Sequence, residues 1–236
     1  MPVEALFPSF IFYRNFLDKK LSKHQGLTQE QIDMCVKSID EMRRNDPHGR
    51  AVSNRGGWQS NDGCESEPAF VPVMKRIVRF MQDEILPFHG FVNNEITPIV
   101  GNSWANVNQN GTYNAPHLHN GCWYSGVFYL KAEGDEGDIV FMDKDPKFVS
   151  NFPSGFHCET DRPNNPRTGE IILFPSGLMH MVEPNYSDRE RYSISFNIDY
   201  QVNIDHKIGQ GIVSSDAKSR RLLFDVTSNG NIKFHK

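Results

Sequence analysis

The sequence lacks several features that would place a protein in a specialised class. No apolar run approaches the ~20 residues that a membrane-spanning helix needs. The first residues have no basic region of the kind that opens a secretory signal peptide. Basic residues are not in excess, because 25 lysines and arginines face 29 aspartates and glutamates. This balance disfavours a surface that coats nucleic acid. We therefore expect a cytoplasmic protein with neither a membrane nor a nucleic-acid partner.

Cysteine is scarce and follows no pattern. The 4 cysteines are widely spaced and form no Cys-x-x-Cys motif. A chain of 236 residues can bury an adequate core without disulfides, so reduced thiols are the expected state. The sequence also has no internal repeat and no low-complexity segment. We expect a single domain over residues 1–236, with an oligomeric state that the sequence does not indicate.

Two amphipathic helices dominate residues 1–90, which we interpret as support for the rest of the fold. Thr28 followed by Gln31 is a capping box, and apolar residues then recur at helical spacing, which predicts a helix over 28–44. A second apolar stripe predicts a helix from 68 or 71 to about 86. Neither helix carries a pattern that suggests chemistry.

Residues 91–200 consist of short β-like runs separated by Asn, Gly, Asp and Pro. Together with an opening run, the predicted strands are 5–13, 96–100, 103–108, 124–131, 138–141, 170–174, 179–183 and 191–199. Many short strands after two helices indicate an α+β fold that is mainly β, a double-stranded β-helix (jelly roll) with the helices packed outside one sheet. Residues 142–169 form a long irregular connection that could cover a site, and 201–236 form a C-terminal extension ending in a hairpin.

A pair of histidines, His117 and His119, is the most informative feature of the β-rich region. In an extended strand, residues two apart point to the same face and lie roughly 6.6 Å apart. Each neutral imidazole offers one lone pair to a divalent metal such as iron, zinc or copper. The spacing therefore predicts two convergent metal ligands.

A third candidate ligand is His180, which follows an apolar run. A lone histidine in such a place is more often a hydrogen-bonded core residue than a ligand. The presence of the pair favours the ligand interpretation, and we predict that all three histidines converge on one metal position.

Arg191 and Ser193 open the strand after His180 and are two residues apart, so they share a face. A guanidinium gives a forked pair of charge-assisted hydrogen bonds and a hydroxyl adds a third, which suits a carboxylate. The simpler alternative is a solvated arginine or one paired with Asp188 or Glu190. We expect Arg189, in the preceding turn, to be the more solvated of the two arginines.

These motifs, in this order, resemble those of iron(II)- and 2-oxoglutarate-dependent oxygenases. The resemblance covers roughly residues 50–200. It rests on His117-x-His119, the run from Ser125 to Leu130, Gly137 to Phe141, Phe174 to His180, and Arg191 to Phe196. With Trp104 to Asn108 added, the sequence is similar to a family of 2-oxoglutarate–iron oxygenases whose substrates are largely unassigned.

The resemblance implies a role for each matching residue. His117 and His180 match the two iron-binding histidines, and Arg191 with Ser193 matches the pair that binds the remote carboxylate of 2-oxoglutarate. Tyr129 matches a tyrosine that bonds the same carboxylate in the prolyl-hydroxylase branch.

His119 departs from the pattern, because the wider superfamily has Asp or Glu there. Either His119 completes a three-histidine site, or a nearby acid such as Asp138 or Asp143 replaces it.

The implied activity is hydroxylation of an unidentified substrate with conversion of 2-oxoglutarate to succinate, using Fe(II) and dioxygen. Two alternatives stay open: a cupin-like three-histidine dioxygenase that needs no 2-oxoglutarate, and a non-catalytic metal-binding jelly roll. Trp104, Asn106 and Trp123 are candidates for a pocket that takes a small-molecule or peptide-like substrate.

Overall fold

The described part of the chain is mainly β. The structure is a computed structural model that describes residues 9–91, 96–142, 165–202, 224–226 and 232–234. Backbone contacts divide the chain into two compact units, 1–79 with 100–199 and 80–99 with 200–236. The single-domain organisation stays a prediction. No helix within the described ranges is long and apolar enough to cross a membrane.

The first predicted helix is confirmed as α1, Gln29–Asn45. The Thr28 hydroxyl accepts a hydrogen bond from the Gln31 amide at 3.3 Å, and the Gln31 side chain accepts one from the Thr28 amide at 3.0 Å. This reciprocal pair satisfies two amide groups that have no partner inside the helix. The buried face of α1 carries Ile32, Cys35 and Ile39.

The second predicted helix is divided into four segments. A 3-10 turn, Pro68–Phe70, leads into α2, Val71–Phe80, which continues through a π-helical stretch, Met81–Ile85, into the short α3, Leu86–Phe88. The apolar periodicity identified the whole region as helical. It did not indicate the π-helical stretch, because side-chain spacing alone does not report a local change in backbone hydrogen bonding.

The strands form two larger antiparallel sheets and one separate pair. In chain order they are β1 Phe12–Asn15, β2 Asn54–Arg55, β3 Trp58–Gln59, β4 Ile96–Asn108, β5 Tyr113–His117, β6 Tyr124–Lys131, β7 Ile139–Phe141, β8 Glu170–Pro175, β9 His180–Val182, β10 Arg191–Val202, β11 Phe224–Val226 and β12 Ile232–Phe234. One sheet has the order β1-β8-β6-β10-β4-β3 and the other β2-β5-β9-β7. β11 pairs with β12, as the predicted C-terminal hairpin requires.

Most predicted strands are confirmed, with three differences. The two strands predicted on either side of Gly101 are one continuous strand, β4. The short strands β2 and β3 lie outside every predicted strand. The opening strand begins at Phe12, later than predicted. Most of the predicted flap, residues 143–164, lies outside the described residues.

A buried apolar cluster joins the two larger sheets. It comprises Tyr129, Ala132, Ile139, Phe141, Ile172 and Phe174, which come from β6 and β8 of one sheet, β7 of the other, and the residue after β6. The rings of Phe141 and Phe174 meet edge to face, with centroids 5.0 Å apart. The ring centroid of His180 lies 4.6 Å from that of Phe174, so the apolar cluster extends to a candidate metal ligand.

Helix α1 contacts the start of β10. The hydroxyl of Tyr192 donates to Asp40 at 2.8 Å, and Arg43 pairs with Glu190 at 2.8 Å. These contacts fix the beginning of the strand that carries Arg191.

Candidate active site

The three predicted histidines lie together. The nitrogen atoms that each could offer to a metal lie within 4.8 Å of one another. The ring centroids of His117 and His180 are 4.3 Å apart, and that of His119 lies 5.2 and 5.3 Å from them. We call His117, His119 and His180 the histidine cluster.

The backbone sets the tautomers of two members of the histidine cluster. Nδ1 of His117 bonds the carbonyl oxygen of Ala115 at 2.8 Å, and Nδ1 of His180 bonds that of Leu178 at 2.9 Å. A carbonyl oxygen can only accept, so each Nδ1 carries the proton and donates. The lone pair of each ring is therefore on Nε2, the nitrogen that remains free for a metal.

His119 reaches the cluster by a route that the sequence did not indicate. We expected both members of the pair on one extended strand, but β5 ends at His117. His119 follows in irregular backbone, where its amide donates to the carbonyl of Ser176 at 2.9 Å. Its ring stacks on Trp104, with centroids 5.7 Å apart, and hydrogen-bonds the Asn197 side chain.

Burial keeps the histidine cluster uncharged. Burial lowers the pKa of His180 to about 3, and burial followed by the neighbouring His117 lowers the pKa of His119 to about 4. Burial also lowers the pKa of His117, against the opposing effect of its bond to Ala115. Neutral imidazoles at pH 7 are the form that binds metals.

Asp138, one of the two alternative acids, is not part of the histidine cluster. Within the described ranges, the cluster contains no aspartate or glutamate. Asp138 instead acts electrostatically on Tyr129 and Arg191. Asp143 lies outside the described residues.

Arg191 is buried and lines the same cavity, and no carboxylate among the described residues forms an ion pair with it. Its Nη1 donates to the carbonyl oxygens of Glu136 and Gly137 at 2.8 and 2.7 Å. Its Nε has no hydrogen-bond partner among the described residues, although the side chain is only 2% exposed. Burial lowers the pKa of Arg191, against the electrostatic effect of Tyr129, Glu136 and Asp138. The solvated or ion-paired alternative for Arg191 is therefore wrong.

The loop 133–137, which we call the anchor loop, holds Arg191 in place. The buried carboxylate of Glu136 accepts hydrogen bonds from the amides of Glu133, Gly134 and Asp135, and another from Arg189 at 3.1 Å. Burial alone would raise the pKa of Glu136, but these bonds together lower it. The carboxylate thus fixes the loop whose carbonyls orient Arg191.

Arg189 is more solvated than Arg191, as predicted, but it is not free. Its side chain is 39% exposed and pairs with Asp135 as well as with Glu136 and Glu133. Arg189 therefore occupies the acids of the anchor loop, while Glu190 pairs with Arg43.

The other predicted site residues divide into two groups. Tyr129, Ser193, Trp104 and Asn106 line the same cavity as the histidine cluster and Arg191. The Oδ1 atom of Asn106 is buried there without a partner among the described residues. Trp123 lines neither this cavity nor the groove beside it, and packs against Tyr124 instead.

Two spaces meet at the histidine cluster. The inner cavity, with a volume of about 50 Å³, is lined by His117, His119, His180, Tyr129, Arg191 and Ser193 among others. The outer groove, of about 360 Å³, is lined by Arg50, Val52, Arg55, Gln59, Asp62 and Leu118 among others, and shares Ser53, Trp104, His117 and His119 with the inner cavity. The sequence did not indicate the groove, because its wall comes from the stretch 45–60 that carries no recognisable motif.

Residues 102–197 match the model of a family described as "Putative 2OG-Fe(II) oxygenase". That segment contains the histidine cluster, Tyr129, Arg191 and Ser193. The match covers 96 of the 236 residues. It confirms the resemblance found in the sequence to 2-oxoglutarate- and iron(II)-dependent oxygenases, which are enzymes that use Fe(II) and 2-oxoglutarate.

Several solved structures share the fold. HygX from Streptomyces hygroscopicus, with nickel and 2-oxoglutarate bound, superposes with a TM-score of 0.53 at 12% identity, over 81% of this chain and 83% of that chain. SnoK, a carbocyclase from nogalamycin biosynthesis, gives 0.51 at 12% identity over 79% and 86%. AviO1 from Streptomyces viridochromogenes Tue57 gives 0.51 at 11% identity over 73% and 86%. No curated protein matches the sequence.

Proposed function

We propose that the protein hydroxylates a C–H bond of a small-molecule or peptide-like substrate while it converts 2-oxoglutarate to succinate and carbon dioxide. One oxygen atom of dioxygen enters the substrate hydroxyl and the other enters succinate. The C–H bond and the oxidative decarboxylation each supply two electrons, which together reduce dioxygen. The observation that carries the proposal is a buried guanidinium that forms no ion pair with any described residue and lines the same cavity as three neutral imidazoles.

The histidine cluster is proposed to hold the iron. Its three imidazoles are neutral and close together, and backbone carbonyls orient the rings of His117 and His180. This is the arrangement that a borderline divalent metal needs. His117, His119 and His180 would be the residues that hold the iron. The iron supplies the oxidising chemistry when it is bound.

Arg191 is proposed to bind the remote carboxylate of 2-oxoglutarate. A buried cation without an anion is costly, so a site that keeps one is suited to a ligand that brings the missing charge. The hydroxyl of Ser193 faces the same cavity. Burial raises the pKa of Tyr129, so its phenol keeps its proton and can donate a further bond. The ligand would then span the inner cavity from Arg191 to the histidine cluster.

The finer architecture also belongs to the proposal. The two larger sheets, joined by their apolar cluster, would form the double-stranded β-helix, with α1 outside the sheet that contains β6 and β10. The free thiols of Cys35, Cys64 and Cys122 suit the cytoplasmic location that we infer.

Succinate release tests the proposed function. Protein loaded with iron(II) without oxygen, and then supplied with 2-oxoglutarate and air, should form succinate slowly even without its substrate. Zinc-loaded protein is the control, because zinc does not change oxidation state. A three-histidine dioxygenase that needs no 2-oxoglutarate, or a non-catalytic protein, would release no succinate under either condition.

A further inference from the structure

We propose that the substrate carries an anionic group, a carboxylate or a phosphate, which Arg50 and Arg55 bind at the mouth of the outer groove. This inference rests on the proposed function, because it assumes that the inner cavity is taken by 2-oxoglutarate. The outer groove then remains as the space from which a second molecule can reach the histidine cluster, since His117 and His119 line both spaces.

The outer groove is locally positive in an acidic protein. Arg50, Arg55 and Asp62 are the charged residues among those that line it, which leaves one positive charge in excess. The whole chain has a net charge of −4. Arg50 pairs with Asp62 at 2.7 Å, but Arg55 pairs with no carboxylate in the part of the chain that the structure describes. A cationic substrate would be repelled here, whereas an anion would find an unneutralised guanidinium.

Local hydrogen bonds hold both arginines before any ligand binds. Nη1 of Arg55 donates to the carbonyls of Val52 and Asn54, each at 3.0 Å. The backbone amide of Arg50 donates to the carbonyl of Gln59 at 2.8 Å, and its guanidinium is held by Asp62. Ordering a long side chain on binding costs free energy, so arginines that are already ordered bind an anion better.

The segment that carries the arginines, residues 50–55, is itself rigid. Asn54 is buried, and its Nδ2 donates to the carbonyls of Arg50 and Gly57 at 3.0 and 2.9 Å. Its Oδ1 accepts from the amide of Val52 at 2.8 Å. The buried side chain of Asn54 therefore fixes the backbone that carries Arg50 and Arg55.

The same segment is tied to the strand that carries His117. The amide of Ala115 donates to the carbonyl of Ser53 at 2.9 Å, and the side chain of Asn114 donates to the Ser53 hydroxyl at 3.1 Å. Asn54 also pairs with Asn114 across β2 and β5. The anion-binding groups and the proposed iron ligand thus belong to one framework, so an anchored substrate would be held in a fixed position relative to the metal.

The rest of the outer groove suits a molecule with both polar and apolar parts. Gln59 and Asn102 present carboxamides to it, and Leu118 and Trp104 present apolar surface next to His119. A guanidinium fork matches carboxylates and phosphates alike, so these residues do not choose between the two anions.

A matched set of fluorinated probes tests the proposal. The full-length protein is loaded with iron(II) and saturating 2-oxoglutarate without oxygen, and broadening of the ¹⁹F signal by the metal is measured for 4-fluorobenzoate, 4-fluorophenyl phosphate and 4-fluorobenzamide. We expect at least one anion to broaden several-fold more than the neutral amide, and the stronger of the two identifies the preferred group. Equal broadening of all three probes, or of none, would overturn the proposal.

Substitutions locate the binding. Arg55→Gln should weaken binding of the preferred anion by about tenfold, whereas Arg55→Lys should restore part of it. Arg44→Gln, which removes an exposed arginine outside the outer groove, is the matched control and should change nothing. Undiminished binding in Arg55→Gln would exclude this site.

The absorption of the iron–2-oxoglutarate complex, recorded in the same samples, separates the two proposals. If the wild type shows no such absorption, the proposed function fails. If the absorption is present but the probes do not discriminate by charge, only the anionic-substrate proposal fails.

Discussion

The inner cavity and the outer groove share His117 and His119 but are built from different parts of the chain. Strand residues line most of the inner cavity, and its cation, Arg191, is fully buried. The wall of the outer groove is the stretch 50–62, and its arginines are partly exposed. Amino-acid substitutions in a cavity between strands disturb the packed core, whereas substitutions in a connecting segment are tolerated more readily. The inner cavity is therefore suited to a constant ligand and the outer groove to one that differs between related proteins.

Loss of a proposed iron ligand should have the largest effect. We expect His180→Ala to weaken iron binding by at least about 100-fold, since even residues that only orient a ligand are worth 10–100-fold. Iron content after dialysis and succinate release both measure this. His48→Ala removes an exposed histidine elsewhere and should leave both unchanged. Full iron content in His180→Ala would mean that the metal lies elsewhere.

Substitution of Arg191 should weaken ligand binding in the inner cavity and leave ligand binding in the outer groove unchanged. We expect Arg191→Lys to weaken 2-oxoglutarate binding by about 1–3 kcal/mol, because lysine keeps the charge but loses the fork that the anchor loop orients. Titration of 2-oxoglutarate into the iron-loaded protein, followed by the absorption of the complex, measures the change. Iron affinity and binding of the fluorinated anion should stay as in the wild type. Equal 2-oxoglutarate affinity in both proteins would place the anchor at another residue.

The same contrast explains how much could be predicted from the sequence. The histidine cluster and Arg191 were identifiable from their ordered motifs, although His119 lies beyond the end of β5 and not on the strand that a period of two assumes. The contacts that hold Arg191 in place were not identifiable from the sequence. The sequence offered Asp188 or Glu190 as its partner, but the contacts of Arg191 depend on the path of the anchor loop. Arg189 pairs with the acids of that loop, and Arg191 bonds the carbonyls of Glu136 and Gly137. The outer groove was missed because short strands in a polar stretch give no periodic signal.

Removing the charge of Glu136 should loosen the anchor loop without touching the ligand. We expect Glu136→Gln to lower the stability at pH 7 by about 1–3 kcal/mol, the scale for hydrogen bonds to a charged group. We also expect 2-oxoglutarate affinity to fall several-fold while iron affinity is unchanged. Urea unfolding and the same titration measure the two effects. Unchanged 2-oxoglutarate affinity in a destabilised variant would limit Glu136 to a structural role.

Acid provides a second test of Glu136. The folded protein lowers the pKa of this carboxyl below its usual value of 4.5, so its stabilising effect is present above that pH and is lost as the pH falls through the folded-state pKa. The stability difference between wild type and Glu136→Gln should therefore shrink between neutral pH and about pH 3, as measured by urea unfolding. A constant difference would show that the charge of Glu136 is not what stabilises the loop.

We expect the smallest effect from a substitution outside both the inner cavity and the outer groove. Thr28→Ala removes the hydroxyl that caps α1, and the exposed amide of Gln31 then loses its partner inside the protein, which costs about 1 kcal/mol. Helix α1 fixes the start of β10 through Tyr192 and Arg43. This variant therefore tests whether a loss of overall stability is enough to weaken 2-oxoglutarate binding in the inner cavity. We expect a lower urea midpoint with unchanged binding of iron, 2-oxoglutarate and the fluorinated anion, since the contacts of α1 with β10 are far from its first turn. A loss of 2-oxoglutarate affinity in Thr28→Ala as large as that in Glu136→Gln would mean that both act through stability, and that the anchor loop has no separate role in orienting Arg191.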